Sequence, residues 1–267
     1  MNILIINSGI FEQKIINLCL KSKLLDKIYT ASEEPLEDIP NIEYKDLNEL
    51  AWKAKALQID IAIIADKTLI KAGIVEIFKK KLLNIIAVNP KWYNLENSRL
   101  VAKQLMNYYS INNPSVIKVP LTFPVIIKTK NSLAVEIANS MQELVDIKEK
   151  LIEQETFLEE YLNGKVFYLL SLWDGKNLLS FPIDEILTEV QEDRLDLIKT
   201  RLNIMFSEEK ADFISFITTE LIWTKNDWYV LDFKMRLCEN SNIENIKTDF
   251  LYILNSAIYQ KLNELKL

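Results

Sequence analysis

Short apolar runs alternate with amphipathic stretches from residue 2 to residue 88, and this alternation restricts the fold more than any other feature of the chain. Residues 3–6, 27–31, 61–65 and 84–88 read as short strands. Three helical patterns lie between them. In the first, Phe11, Ile15, Leu18 and Cys19 recur at i, i+4, i+7 and i+8, which places Cys19 in the core. The second, 47–57, follows Asp46, with Glu49 three residues on, a helix-start signature. The third spans 70–80 and ends near Lys79, Lys80 and Lys81, where cations suit the negative end of the helix dipole. Strands separated by helices form a parallel, doubly wound sheet. Ligands of such sheets sit outside the carboxyl ends of the strands. That brings Asn7-Ser8-Gly9, Asp66-Lys67 and Asn89-Pro90 into view.

The second half has a different rhythm. A helix over 95–109 leads to the linker 112–120, which carries Pro114 and Pro120. A strand over 124–130 contains Lys128, residues 132–138 pair back on it, and Ser140 with Glu143 caps a helix over 141–152. The stretch from Thr156 to Asn177 then reads as strand, Asn163-Gly164 turn, strand and Asp174-Gly175 turn. Asn-Gly and Asp-Gly between apolar runs predict hairpins. Glu159 and Glu160 interrupt the first of these strands and face either solvent or a ligand. Asp184-Glu185 runs into a helix over 187–205, and the chain closes on a helix over 249–262. Between those helices, 213–224 and 228–238 form a hairpin around Lys225-Asn226-Asp227. Counting back from Thr224 opposite Trp228 pairs Ile222 with Val230, Glu220 with Asp232, Thr218 with Lys234 and Phe216 with Arg236. Asp232, Lys234 and Arg236 then share a face with Glu220.

Composition narrows function. None of the 267 residues is histidine, which removes imidazole acid–base chemistry, Ser–His and Cys–His nucleophiles and imidazole metal ligands. There are 4 glycines, Gly9, Gly73, Gly164 and Gly175, whereas loops that wrap phosphate with backbone amides need several. A net charge of -6 with no dense basic run argues against nucleic acid as a partner. No apolar stretch is long enough for a membrane span, and the N-terminus lacks the basic region of a signal peptide. Cys19 and Cys238 are far apart, so no disulfide framework and a reducing cytoplasm are expected. A small molecule is the expected ligand, with a protein partner left open.

The stretch TFLEEYLNGKVFYLLSLWDGKN resembles the EEFLDGEEFSLLALVDGKN pattern of the phosphoribosylamine–glycine ligase family, in the ATP-grasp superfamily. NILIINSG, LLDKIYTA, AGIVEIF and LENSRLVAKQLM match the same family, so the resemblance runs over nearly the whole chain. It implies an α/β fold: a Rossmann-like parallel-sheet domain over 1–111, then a reduced ATP-grasp domain of antiparallel sheets and helices over 112–267. The small lobe of that domain is expected at about 121–163, and the family's C-terminal domain is expected to be absent. The resemblance also implies an ATP-dependent carboxylate–amine ligase of purine biosynthesis. In that reaction a carboxylate becomes an acyl phosphate that an amine attacks, with ATP and Mg2+ as cofactors and basic residues stabilising the transferring group. Carried over residue by residue, it puts Arg99 and Lys128 on ATP phosphates and Glu159 and Leu162 at the adenine hinge. It puts Glu220 and Asp232 on magnesium and Arg236, as the catalytic residue, on the acyl phosphate. Lys128 is equally readable as an exposed strand lysine.

The match fails where chemistry is done. The family's L-E-F-N-x-R-F-G-D reads Leu231-Asp232-Phe233-Lys234-Met235-Arg236-Leu237-Cys238-Glu239, with a lysine in place of the metal-binding asparagine. An ammonium there is expected to stand in for magnesium, in a Glu220–Lys234–Asp232 cluster that Arg236 extends. The glycine-rich first turn keeps only Ser8, Gly9 and Glu12, and Gly-Pro-Glu becomes Ala65-Asp66-Lys67. The closing phosphate loop shrinks to Thr129-Lys130-Asn131-Ser132, and Val166 replaces the ribose carboxylate. Three functions compete: an active ligase with an altered phosphate and metal site, a binding or regulatory relative without full ligase activity and with no obligatory cofactor, and a subunit completed by a protein partner. The missing glycines, the lost loop and Lys234 favour the second.

Overall fold

The computed structural model describes residues 1–7, 10–64, 66–131, 134–183 and 185–265. Ser8, Gly9, Ala65, Ser132 and Asp184, invoked above in turns, lie outside that set, as does the side chain of Phe11. The first strands are β1 (Asn2–Ile6), β2 (Lys27–Ala31), β3 (Ile61–Ile64) and β4 (Asn84–Ile86). They form an all-parallel sheet in the order β2-β1-β3-β4. Helices α1 (Ile10–Leu20) and α2 (Leu47–Ala56) cross over between them. Asp46 caps α2 by accepting from the N–H groups of Asn48 and Glu49. Ile15 and Cys19 of α1 are buried, and burial, then the charge of Asp249, pushes the Cys19 thiol up to about 12. Cys19 is a core residue and chemically quiet.

Two expected helices are each split. Residues 70–80 resolve into α3 (Lys67–Lys71) and α4 (Ile74–Lys80), separated at Gly73, whose φ of 81 lies in the left-handed region that favours glycine. Residues 95–109 resolve into α5 (Pro90–Asn97) and α6 (Arg99–Tyr108). Asn89 caps α5 through Trp92 N–H at 3.0 Å, and Ser98 between the helices is extended. The break at Ser98 re-aims α6, which carries Arg99 and Lys103 on one side at i and i+4.

Two antiparallel sheets complete the fold. The small one comprises β5 (Val116–Ile117), β6 (Val125–Thr129), β7 (Val135–Ala138) and β8 (Thr156–Glu160), ordered β5-β8-β6-β7. Its own core of Val125, Ile127, Ala138, Leu144 and Leu158 lies under α7 (Met141–Lys150), which Ser140 caps. The large one comprises β9 (Lys165–Trp173), β10 (Leu178–Ser180), β11 (Ser215–Trp223) and β12 (Trp228–Lys234), ordered β10-β9-β11-β12. Helices α8 (Glu189–Glu208) and α9 (Phe250–Ile258) follow β10 and β12. The parallel sheet and the large antiparallel sheet share their cores: Leu4, Ile6 and Ile64 belong to one cluster with Phe233 and Val230, and Ile3 and Ile5 to another with Phe216 and Leu172. Among the described residues no helix is long and apolar enough to cross a membrane.

Two hairpin expectations need correction. Strands β8 and β9 lie in different sheets, so Asn163-Gly164 is a crossing between sheets and not a hairpin turn. Gly164 is glycine because a Cβ there would meet the Trp223 carbonyl oxygen at 2.1 Å. The Asp174-Gly175 turn does join paired strands, β9 and β10, with Gly175 at φ 90. The β11–β12 turn is one residue longer than counted: Trp223 faces Trp228, and Leu221 and Ile222 face Val230 and Tyr229. A bulge between Glu220 and Leu221 then restores the counted pairs Glu220–Asp232 and Thr218–Lys234. β12 ends at Lys234, so the counted Phe216–Arg236 pair does not form in this ladder.

Candidate functional site: a cleft between two antiparallel sheets

Strand alternation decides what the small sheet shows the cleft. Val125 and Ile127 of β6 go under α7, so Ile126 and Lys128 face the other way. In β8, Leu158 joins that core and Glu159 faces the cleft. The large sheet supplies Glu220 and Ile222 from β11 and Leu231 and Asp232 from β12. Adjacent residues 231 and 232 both reach the cleft because of the bulge. Leu231 has no partner in the ladder, and its carbonyl accepts from Lys128 Nζ at 3.3 Å. The cleft has a volume of ≈160 Å³, below the roughly 300–1,000 Å³ of pockets for drug-sized ligands. Ile126, Val135, Leu162, Ile222 and Leu231 make its wall largely apolar.

Arg99, Lys128, Glu159, Leu162, Glu220 and Asp232 thus line one cavity. Lys128 is buried, which corrects its reading as an exposed strand lysine, and so is Glu159, at 1% exposure. The two oxygens of Glu159 stand 2.9 Å from Lys103 Nζ and 2.9 Å from Lys128 Nζ. Lys103 Nζ also donates to Asn113 and to the Pro114 carbonyl. Burial holds Lys103 below the usual lysine range, partly offset by Glu159. Sequence reading did not single out Lys103. Its signal was the spacing from Arg99, four residues earlier on the same helix.

Arg99 joins the lobes. Its Nη1 donates to the Ala134 carbonyl at 2.8 Å and to that of Thr129 at 3.3 Å, and its Nε lies 3.5 Å from Asp232 Oδ2. Lys234 Nζ stands 3.6 Å from the same oxygen, while Oδ1 accepts from Phe233 N–H at 2.9 Å. Asp232 Oδ2 therefore stands within ion-pair range of two cations at distances too long for good hydrogen bonds, and Asp232 is buried. Burial, then the charge of Asp232, raises the Glu220 carboxyl above its usual range, with Lys234, Lys128 and Arg99 pulling the other way.

Arg236 departs from expectation. It does not line the cleft; it pairs with Glu96 of α5 at 3.3 Å, and Glu96 also accepts from Met235 N–H at 2.9 Å. The pairing fastens the end of β12 to α5. Arg99, and not Arg236, extends the Asp232–Lys234 cluster.

Two protein cations oppose a divalent cation at these carboxylates. A magnesium ion about 2.1 Å from Asp232 Oδ2 would lie within about 6 Å of both Arg99 Nε and Lys234 Nζ. At an effective dielectric near 20, each unit charge at that distance opposes the ion by about 5 kcal/mol or more. Among the described residues no group of three Asp, Glu, Cys or His side chains is placed to hold a metal.

A second pocket, of ≈390 Å³, opens at the carboxyl ends of the parallel strands, lined by Asn7, Ser32, Glu33, Glu34, Tyr44 and Asp66 among others. Burial acts to raise the Asp66 carboxyl, but hydrogen bonds from Thr68, Leu69 N–H and Asn7 outweigh it and hold it below the usual range. No lysine or arginine lines this pocket among the described residues, so it suits a sugar phosphate poorly. Asn89 lies elsewhere, bonded to Asp212.

No protein-family profile matches the chain. Its sequence is 25% identical to the phosphoribosylamine–glycine ligase of Fusobacterium nucleatum over 321 aligned positions, covering 100% of this chain and 75% of that protein. The chain is a divergent relative of the phosphoribosylamine–glycine ligases. The 321 aligned positions exceed its 267 residues, so internal segments of that ligase have no counterpart in this relative. The fold agrees. The phosphoribosylamine–glycine ligase of Thermotoga maritima superposes with a TM-score of 0.77 at 17% identity, over 100% of this chain and 76% of that one. An ADP complex of N5-carboxyaminoimidazole ribonucleotide synthetase superposes with a TM-score of 0.70 at 13% identity, over 97% and 77%. This divergent relative is ligase-like in sequence and has the ATP-grasp ligase fold.

Proposed function

We propose that this ligase-like chain binds an adenine nucleotide through its base and does not carry out the ligase reaction, acting as a binding or regulatory relative. One observation carries the reading: the cations that line the cleft among the described residues, Lys128 and Arg99, are matched to protein carboxylates. Lys103 and Lys128 share Glu159, and Arg99 and Lys234 share Asp232. Phosphoryl transfer needs cations and metal aimed at the transferring group. Here they point at the protein. The apolar wall suits a flat ring, and the ADP complex of N5-carboxyaminoimidazole ribonucleotide synthetase supports an adenine nucleotide as the ligand class. The second reading, an active ATP-dependent carboxylate–amine ligase, is favoured by the gathering of Arg99, Lys128, Glu220 and Asp232 in one cleft. Two tests separate them: ADP release with ATP, magnesium, glycine and phosphoribosylamine, and complementation of a purine auxotroph lacking phosphoribosylamine–glycine ligase. The expected results are no turnover and no growth. Either turnover or growth would establish the second reading.

A further inference from the structure

We infer that the cleft is a metal-free site, in which the Lys234 ammonium holds the position of a divalent cation and the ligand binds without magnesium. This rests on the reading of the cleft as a nucleotide site. Three observations lead to it. Asp232 Oδ2 has Lys234 Nζ at 3.6 Å and Arg99 Nε at 3.5 Å, so two unit positive charges converge on the oxygen best placed to ligate a metal. Glu220, the carboxylate opposite Asp232 in the ladder, has the Lys234, Lys128 and Arg99 charges acting on it. No third Asp, Glu, Cys or His side chain joins the two carboxylates among the described residues. A lysine in this place sets a positive charge beside Asp232, which is buried, and Glu220, which is partly buried, but it is covalently fixed and offers N–H donors where an ion would offer coordination positions.

The experiment has two arms, both on the full chain. In the first, ADP binding is measured by isothermal titration calorimetry in EDTA and in excess magnesium. The two affinities should agree within about threefold. Binding seen only with magnesium, or strengthened by it more than about tenfold, would overturn the inference. In the second, with no nucleotide present, Mn2+ is titrated and followed by electron paramagnetic resonance. The unmutated protein should bind no Mn2+ in the cleft at millimolar concentration, whereas Lys234→Asn should gain a site that Lys234→Asn/Asp232→Asn loses. The Lys234 side chain is 34% exposed, so its replacement leaves the core intact. A Mn2+ site in the unmutated protein that Asp232→Asn abolishes would contradict the inference, as would a Lys234→Asn variant that gains none. If ADP binds under neither condition, the nucleotide reading fails and the Mn2+ arm alone decides this one.

Discussion

Replacing Glu159 by glutamine would leave two buried ammonium groups, Lys103 and Lys128, facing an uncharged amide. Breaking a buried pair in this way costs about 3–5 kcal/mol, since the stranded charge cannot be rehydrated. Glu159→Gln should therefore lower the stability measured by urea denaturation by about that amount. Glu220 has the opposite character. Its carboxyl is raised first by burial and then by Asp232, against the pull of Lys234, Lys128 and Arg99, and Tyr168 adjoins it from β9. A raised carboxyl binds its proton more readily in the folded than in the unfolded state. The stability it contributes is complete at low pH and is lost as pH rises through the folded value. Glu220→Gln has no proton to lose, so its stability relative to the unmutated protein should improve between about pH 4 and pH 7. Denaturation across that range at fixed ionic strength reads the difference, and a flat result would show Glu220 to be solvated. The Glu220–Asp232 pair was legible by counting, although the turn was miscounted by one residue, because the bulge compensates. The fate of Arg236 was not legible. Its partner Glu96 is 140 residues away in sequence, and no local pattern signals an ion pair at that distance.

At the scale of elements, local signals held where the physics is local. Asp46 and Ser140 cap the helices they precede, as a side-chain oxygen two or three residues from free N–H groups will. Asn163-Gly164 failed because turn chemistry competes with strand pairing. Strand β9 pairs with β11 along its whole length, from Lys165 opposite Trp223 to Trp173 opposite Ser215, and that ladder outweighs a two-residue preference. The glycine is still required, by the approach of the Trp223 carbonyl. Gly164→Ala should cost about 1–3 kcal/mol, the range for inserting a carbon where none fits. It should also weaken ligand binding, because Leu162 of the cleft wall lies two residues away. Denaturation midpoints and nucleotide titrations of this variant check both effects.

For the molecule as a whole, the parallel sheet was readable because each crossover helix sits beside its strands in the chain. The order of the antiparallel strands was not, because β9 pairs with β11 across the whole of β10 and α8, and the cleft between the sheets draws on residues as distant in sequence as Arg99 and Asp232. The resulting cleft is small and apolar along its wall, and its cations are already paired with Glu159 and Asp232. If that pairing governs recognition, the triphosphate adds little to binding and the base supplies most of it. The direct test is isothermal titration calorimetry of the full chain with ATP and with adenosine in the same buffer. The two affinities should lie within about tenfold, roughly 1.4 kcal/mol; a preference for ATP of about a thousandfold, roughly 4 kcal/mol, would show that the phosphates, and not the base, supply most of the binding.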